Sequence, residues 1–269
     1  MSYPRCRLCS AELRHTFVNL GMSPPCESYL TTAQLDQAEQ FYPLHVRVCE
    51  SCLLVQLPAY IAPQDVFSDY AYFSSYSDSW VAHARRFVEE ATAKFGLGSE
   101  SFLVEVASND GYLLQHSVAR GIRSLGIEPA ANIAEVAQRR GIDTEVMFLG
   151  EQTGRDVASR HGSADLVVAN NVFAHVPDIV DFSKGLRELV ADSGRVSIEI
   201  PHLLRLIEGN EYDTIYHEHY SYLTLLTAQR VLAAADLQVI HIEELPTHGG
   251  SMRIWSAPTV AAVEASPSV

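Results

Sequence analysis

Apolar and polar positions change period several times along this chain. From Asp78 the apolar residues Trp80, Ala84, Phe87, Val88, Ala91 and Phe95 recur at helical spacing, and Gly96 closes the run. Short apolar runs then alternate with helical stretches. Phe102–Val106 reads as a strand, 112–120 as a helix ended by Gly121, 124–127 as a strand and 130–140 as a helix ended by Gly141. Residues 143–148 and 165–169 read as strands, 178–190 as a helix and 195–200 as a strand. A helix over 227–235, a strand over 238–243, a turn over 246–250 and a strand over 252–256 complete the pattern. Such alternation predicts a parallel sheet with helices on both faces and a ligand at the carboxyl ends of its strands. The last two strands, joined by a short turn, must pair antiparallel, because a parallel pair needs a long crossover.

The first 65 residues follow a different logic, set by cysteine. Cys6-Arg7-Leu8-Cys9 and Cys49-Glu50-Ser51-Cys52 are two C-x-x-C knuckles. Two residues between thiolates let one turn aim both sulfurs at one ion, and two such turns complete a tetrahedral Zn²⁺ shell. Four thiolates leave no open position, so the metal is expected to be structural. A redox pair is disfavoured, since two copies are present and neither opens a helix after a strand. The fifth cysteine, Cys26, is expected to be a small, partly buried side chain. With Pro24, Pro25 and Pro43 between the knuckles, residues 1–65 are expected to be a loop-rich, metal-stapled module.

Composition narrows the partners. The 269 residues carry 19 Lys+Arg against 33 Asp+Glu, a net charge of −14. That balance argues against a nucleic-acid groove or an anionic membrane surface. The basic stretch Arg5, Arg7, Arg14 is too small to reverse it. No apolar run reaches the length of a membrane span, and the N-terminus has no apolar signal core. A soluble, cytoplasmic protein is the expectation.

The first strand of the sheet runs into Glu105-Val106-Ala107-Ser108-Asn109-Asp110-Gly111. This is similar to the E-x-G-x-x-x-G loop of S-adenosylmethionine (AdoMet) enzymes, with Ala107 where the first glycine is usual. The G-x-G-x-x-G dinucleotide fingerprint is absent. Small residues let backbone approach a ligand closely. Glu105 and Asp110 suit the ammonium and sulfonium charges of AdoMet. Glu128, at the end of the second strand, is placed to accept from both ribose hydroxyls, with Pro129 beside it. Asn170 and Asn171 lie at the same carboxyl edge and are expected to line the cofactor. A doubly wound sheet closed by an antiparallel hairpin resembles class I (Rossmann-like) AdoMet methyltransferases more than NAD dehydrogenases. The expected fold is therefore α/β, class I, with a zinc module in front.

Tyr216-His217-Glu218-His219-Tyr220 packs two histidines, two tyrosines and a glutamate into five residues. The spacing is not that of a zincin. Histidine titrates near neutrality and suits a general base, while tyrosine or a second histidine can stabilise an oxyanion. His248-Gly249-Gly250-Ser251 falls in the final turn, where the glycines allow close backbone approach but also suffice for a plain hairpin.

Several of these segments together carry a family resemblance. They are Cys6/Cys9 with Cys49/Cys52, Asp69-Tyr70-Ala71-Tyr72 before Ser74-Ser75, and Val104-Glu105 with Ser108-Asn109-Asp110-Gly111. Next come Gly126-Ile127-Glu128-Pro129 and Asn170-Asn171-Val172-Phe173-Ala174-His175. Tyr216-His217-Glu218-His219 and Thr247-His248-Gly249-Gly250-Ser251 with Arg253 complete the series. In that order they resemble the zinc-containing C-methyltransferases of nucleotide-linked deoxysugars. The resemblance implies AdoMet-dependent methylation of a carbon next to the ketone of a dTDP-type 4-keto-6-deoxy sugar. By similarity His219 is the general base and Tyr216 the second candidate, able instead to orient the sugar or hold the enolate oxygen. Glu218, Tyr70 and His175 match positions lining the same pocket, with Tyr70 placed to act as part of a lid. It also implies a further C-terminal α/β domain, of which 260–269 reads as the opening. The domains expected are 1–65 for zinc, 66–257 for methyl transfer and 258–269 as a tail. Two other readings remain: an O- or N-methyltransferase of another small molecule, and a non-catalytic zinc- and AdoMet-binding fragment.

Overall fold

In the computed structural model, which describes residues 3–26, 28–67 and 70–269, the chain opens with β1 (His15–Ser23), β2 (Tyr42–Val48), β3 (Val55–Gln56) and the short α1 (Pro63–Phe67). Asp69 of the family motif lies outside the described residues. The long α2 (Asp78–Phe95) follows. Ser77 caps it by accepting from the Trp80 N–H, and Gly96 ends it in left-handed backbone at φ +63°. Then come β4 (Phe102–Val106), α3 (Leu114–Val118), β5 (Arg123–Ile127), α4 (Ala131–Arg139) and β6 (Thr144–Glu145). Next are α5 (Glu151–His161), β7 (Ala164–Asn170), α6 (Ile179–Leu189), β8 (Val190–Pro201) and α7 (Leu203–Gly209). The chain closes with β9 (Ser221–Tyr222), α8 (Leu225–Ala233), β10 (Leu237–Leu245) and β11 (Ser251–Pro258).

Seven strands form the main sheet in the order β10-β11-β8-β7-β4-β5-β6. β11 runs antiparallel to both β8 and β10, and the pairs from β8 through β6 are parallel. This is the expected α/β architecture of class I. All five residues of β4 are buried because helices cover both faces. The order reverses beside β4, where β5 and β7 flank it, and a crevice opens outside the carboxyl ends at that point. No helix among the described residues is long and apolar enough to cross a membrane.

The second sheet, β1-β2-β3-β9, is antiparallel. The region between the knuckles, expected to be loop-rich, thus contains two full strands. Its fourth strand, β9, comes from just beyond the histidine cluster. Leu57 N–H donates to the Tyr220 carbonyl at 3.0 Å, and the Cys6, Cys49, Cys52 and Leu54 side chains share one core with Leu223, Ala228 and Val231. The zinc module and the histidine cluster are therefore built on the same ladder.

Other local expectations shift. The helix read over 112–120 shortens to α3, freeing Tyr112, and the strand read over 143–148 shortens to β6. Helices α5 and α7 had no counterpart in the sequence reading. α5 lies against α6 through glycine: a Cβ on Gly154 would stand 2.6 Å from the Gly185 carbonyl oxygen.

Candidate active site and metal centre

The knuckles share one backbone design. The Cys6 carbonyl accepts from Ser10 N–H at 2.8 Å and the Cys49 carbonyl from Leu53 N–H at 2.9 Å. Ser10 and Leu53 both take left-handed backbone, at φ +62° and +65°. Each turn points its sulfurs inward. Cys6 Sγ lies 3.4 Å from Cys52 Sγ, and Cys9 Sγ 3.5 Å from Cys49 Sγ. All four lie within 4.8 Å of one another, and none is in a disulfide. Zinc–thiolate bonds of about 2.3 Å place tetrahedral sulfurs roughly 3.8 Å apart, so the four positions fit one Zn²⁺. Gln56 Nε2 donates to Cys6 Sγ at 3.2 Å and Arg230 to the Cys52 carbonyl at 2.7 Å. Such outer contacts orient the ligands.

A cavity of about 510 Å³ opens at the carboxyl ends of β4, β5 and β7. That size suits a small-molecule site. The loop after β4 takes left-handed backbone at Ala107 (φ +55°), Asn109 (φ +49°) and Gly111 (φ +80°). Ala107 and Asn109 face the cavity. Ser108 turns inward under β5, where a Cβ on Gly126 would stand 2.4 Å from its Oγ. The Asn109 side chain accepts from Ser74 N–H at 2.8 Å and donates to the Tyr72 carbonyl at 3.1 Å. The segment from Tyr70 to Ser75 is thereby stapled to this loop.

Glu128 and Pro129 line the cavity next to this loop. The Glu128 carboxylate accepts from Asn109 N–H and Ala130 N–H, both at 2.9 Å. Burial pushes its carboxyl up to about 7, against the pull of those two donors. Asn170 and Asn171 complete the wall, Asn171 at φ +51°. The Asn170 amide is 6% exposed, and neither its oxygen nor its nitrogen has a hydrogen-bond partner among the described residues. An unspent amide on the wall, a carboxylate with acceptor capacity left and a small-residue loop fit AdoMet.

The two acids expected to meet its positive charges do not face the cavity. Glu105 is fully buried beside Tyr112, and burial pushes its carboxyl well above the usual range. Asp110 turns away, accepting from the Ser75 hydroxyl and pairing with Arg140 at 3.2 Å. It locks the loop instead. Gly111 is required by space as well as by φ: a Cβ there would stand 2.2 Å from Ile142 Cδ1.

Tyr70, His175, Tyr216 and His219 line the same cavity. His219 Nδ1 lies 2.8 Å from the Thr214 carbonyl oxygen. A carbonyl only accepts, so Nδ1 carries the hydrogen and Nε2 the lone pair. Tyr216 Oη lies 3.0 Å from that Nε2 and donates to it. Burial pulls His219 down to about 4 and His175 well below its usual value, so both are neutral at pH 7. Their rings meet edge-on at 4.6 Å. Glu218 is 2% exposed and stands off the wall, behind these groups. It accepts from Tyr70 Oη at 3.2 Å and from Cys26 Sγ at 3.0 Å, with His175 Nδ1 at 3.8 Å. Glu218 thus ties Tyr70 to partly buried Cys26 of the N-terminal module.

Several wall residues were not singled out from sequence. Trp80 and Tyr112 stack at 5.8 Å along one side, and Met147 and Phe148 form another. Trp80 reads in sequence as one member of an apolar helical stripe, and nothing local marks it as a wall residue.

Ala107 holds a left-handed conformation that costs an L-residue about 1–2 kcal/mol. Ala107→Gly should therefore raise stability by about 1 kcal/mol after the added freedom of the unfolded chain, read as a shift in the denaturation midpoint.

Residues 6–67 match a zinc binding domain family, and residues 80–242 match a methyltransferase domain family. The C-methyltransferase NovU of Streptomyces niveus is 34% identical over 264 residues, covering 98% of this chain and 63% of that protein. The chain thus spans less than two thirds of the curated relative it matches. A Pyrococcus horikoshii protein superposes with TM-score 0.57 at 10% identity, covering 72% of this chain and 97% of its own. An S-adenosylmethionine-dependent methyltransferase of Clostridium acetobutylicum does so with TM-score 0.51 at 9% identity, covering 64% and 89%. At such identities the likeness speaks for the fold alone. With its methyltransferase domain matched over most of its length and a four-cysteine domain matched ahead of it, the chain belongs to the AdoMet-dependent methyltransferases that carry an N-terminal zinc-binding domain.

Proposed function

We propose that the chain is a C-methyltransferase acting on the carbon next to the ketone of a nucleotide-linked, dTDP-type 4-keto deoxysugar. One observation carries the reading: a buried, neutral histidine whose Nε2 lone pair meets a tyrosine hydroxyl stands on the same cavity as the AdoMet wall. The name of the 34%-identical relative supports carbon as the site of transfer. Carbon is not nucleophilic until a proton leaves it. His219 Nε2 receives that proton, directly or through the Tyr216 hydroxyl, and the C–H electron pair becomes the enolate. When bound, AdoMet supplies the methyl that the enolate carbon takes. Glu128 holds the ribose, Asn170 and Asn171 line the methionine side, and Glu218 orients Tyr70. Zinc takes no part in the step. A cytoplasmic setting, which keeps thiolates reduced, suits the four-thiolate site.

An O- or N-methyltransferase needs no carbon-acid base, so proton exchange separates the readings. The wild-type chain, incubated in D₂O with a dTDP-linked 4-keto-6-deoxy sugar, is expected to wash deuterium into the carbon α to the ketone. Absence of both exchange and C-methylation would sink the carbon reading. Calorimetric titration with dTDP, after AdoMet, tests whether the nucleotide end is held.

Glu128 gives a pH signature. As a carboxylate it accepts from ribose hydroxyls best, and burial holds its carboxyl at about 7. AdoMet binding should tighten as pH rises through that value and release a proton near it. Calorimetry in buffers of different ionisation enthalpy reads the proton, and Glu128→Gln should remove it. Stability of the unliganded protein runs the other way. The folded state binds this proton more tightly than the unfolded chain, so the contribution is fully present below about 4.3 and lost as pH rises through about 7.

A further inference from the structure

The turn between β10 and β11 is built at some cost. His248, Gly249 and Gly250 take successive left-handed conformations at φ +50°, +74° and +131°. Glycine suits the two positions by conformation, and at Gly250 by space as well: a Cβ there would stand 2.7 Å from Arg205 Cβ. His248 keeps its side chain despite the strain. A buried charge cluster anchors the turn beside it. Thr247 Oγ1 donates to Glu199 Oε1 at 2.9 Å, and Ser251 Oγ donates to the Thr247 carbonyl at 2.9 Å. Glu199 is fully buried and is held by His83 Nε2 at 2.8 Å and Arg253 Nη2 at 2.9 Å. Burying such charges is expensive and is weak evidence for a gain in stability; it fixes a geometry.

That geometry sets His248 on the cavity wall with Tyr216 and His219, its ring edge-on to Trp80 at 5.1 Å. Neither of its ring nitrogens has a hydrogen-bond partner among the described residues. The hydroxyl hydrogens of Tyr216 and Tyr70 are donated to His219 and Glu218. An enolate forming in this cavity needs a donor for its oxygen.

We propose that His248 presents a ring N–H to the acceptor oxygen that gains negative charge, and that Glu199, acting through Thr247, is its positioning residue. The proposal rests on the carbon-methylation reading and adds an oxyanion donor to it.

Two variants that tolerate left-handed backbone separate the donor from the turn. His248→Asn keeps an N–H donor, whereas His248→Asp presents a carboxylate that repels the enolate. With a dTDP-linked 4-keto-6-deoxy sugar, His248→Asp should lower both deuterium wash-in and methyl-transfer kcat by roughly 10²- to 10³-fold. His248→Asn should stay within about tenfold of wild type, and AdoMet affinity should be unchanged in both. Thr247→Val should lower kcat roughly tenfold with little change in KM, and Thr247→Ser should restore it. Wash-in by His248→Asp within about threefold of wild type, or parallel loss of AdoMet binding, overturns the role of His248. No wash-in by wild type overturns the carbon-methylation reading, and this role with it.

Discussion

Stripping zinc, or replacing Cys49 with serine, is expected to abolish methyl transfer while AdoMet affinity changes only a few-fold. None of the four cysteines lines the cavity, so the effect must travel through structure. Structural zinc contributes about 10–16 kcal/mol in small metal-folded domains, comparable to or above the whole stability of an ordinary domain. Here four thiolates close the module, and its strand β3 pairs with β9, Val55 opposite Tyr222 and Gln56 opposite Ser221. His217 Nε2 lies 3.3 Å from the Tyr42 carbonyl, and Arg7, inside the first knuckle, donates to the carbonyls of Leu57 and Pro177. Without the metal these ties release the segment carrying Tyr216, Glu218 and His219. The AdoMet wall depends on β4, β5 and β7 instead and should survive. Metal content by atomic absorption, AdoMet binding by calorimetry and turnover on one preparation check this. Full turnover by zinc-free protein would refute the coupling, and parallel loss of AdoMet binding would show one folding unit.

What the sequence disclosed depended on whether the physics was local. The C-x-x-C spacing is a local statement about two sulfurs and one ion, and the four residues do converge. The strands of the central sheet announce themselves because burial on both faces demands unbroken apolar runs, as in Phe102–Val106. Helix α5 lacks an apolar stripe because Gly154 meets Gly185 backbone to backbone, and a missing side chain leaves no hydrophobic signal. Strand β1 is exposed on both sides over most of its length, so its period is blank. In the site, residue density gave away the Tyr216–Tyr220 cluster. The direction of a charge did not show, because remote partners decide it: Asp110 turns to Ser75 and Arg140, 35 and 30 residues away. The cluster of His83, Glu199 and Arg253 joins residues 116 and 170 positions apart, which no motif spans.

Replacing His219 with glutamine should lower deuterium exchange and methyl transfer together by roughly 10²- to 10⁴-fold, with AdoMet affinity unchanged. Exchange and transfer fall together because the enolate precedes both. Tyr216→Phe then distinguishes the two proton routes. If the proton passes through the Tyr216 hydroxyl, its loss should cost nearly as much as loss of His219, and the double variant should be no worse than either. If Nε2 takes the proton directly, Tyr216→Phe should cost about tenfold and the two losses should multiply. The pH profile is a separate handle on the same ring. Burial holds His219 at about 4, so kcat at saturating AdoMet should stay level on the acid side down to about 5.5, where an ordinary histidine would already be mostly protonated. The sign for stability is fixed by the same burial. The unfolded chain takes up a proton below about 6.5 that the folded ring refuses, so this site costs stability as pH falls through that value. A kcat limb at 6 to 7 that disappears in His219→Gln would mean that the ring is solvated during turnover, and the buried, neutral base would have to be given up.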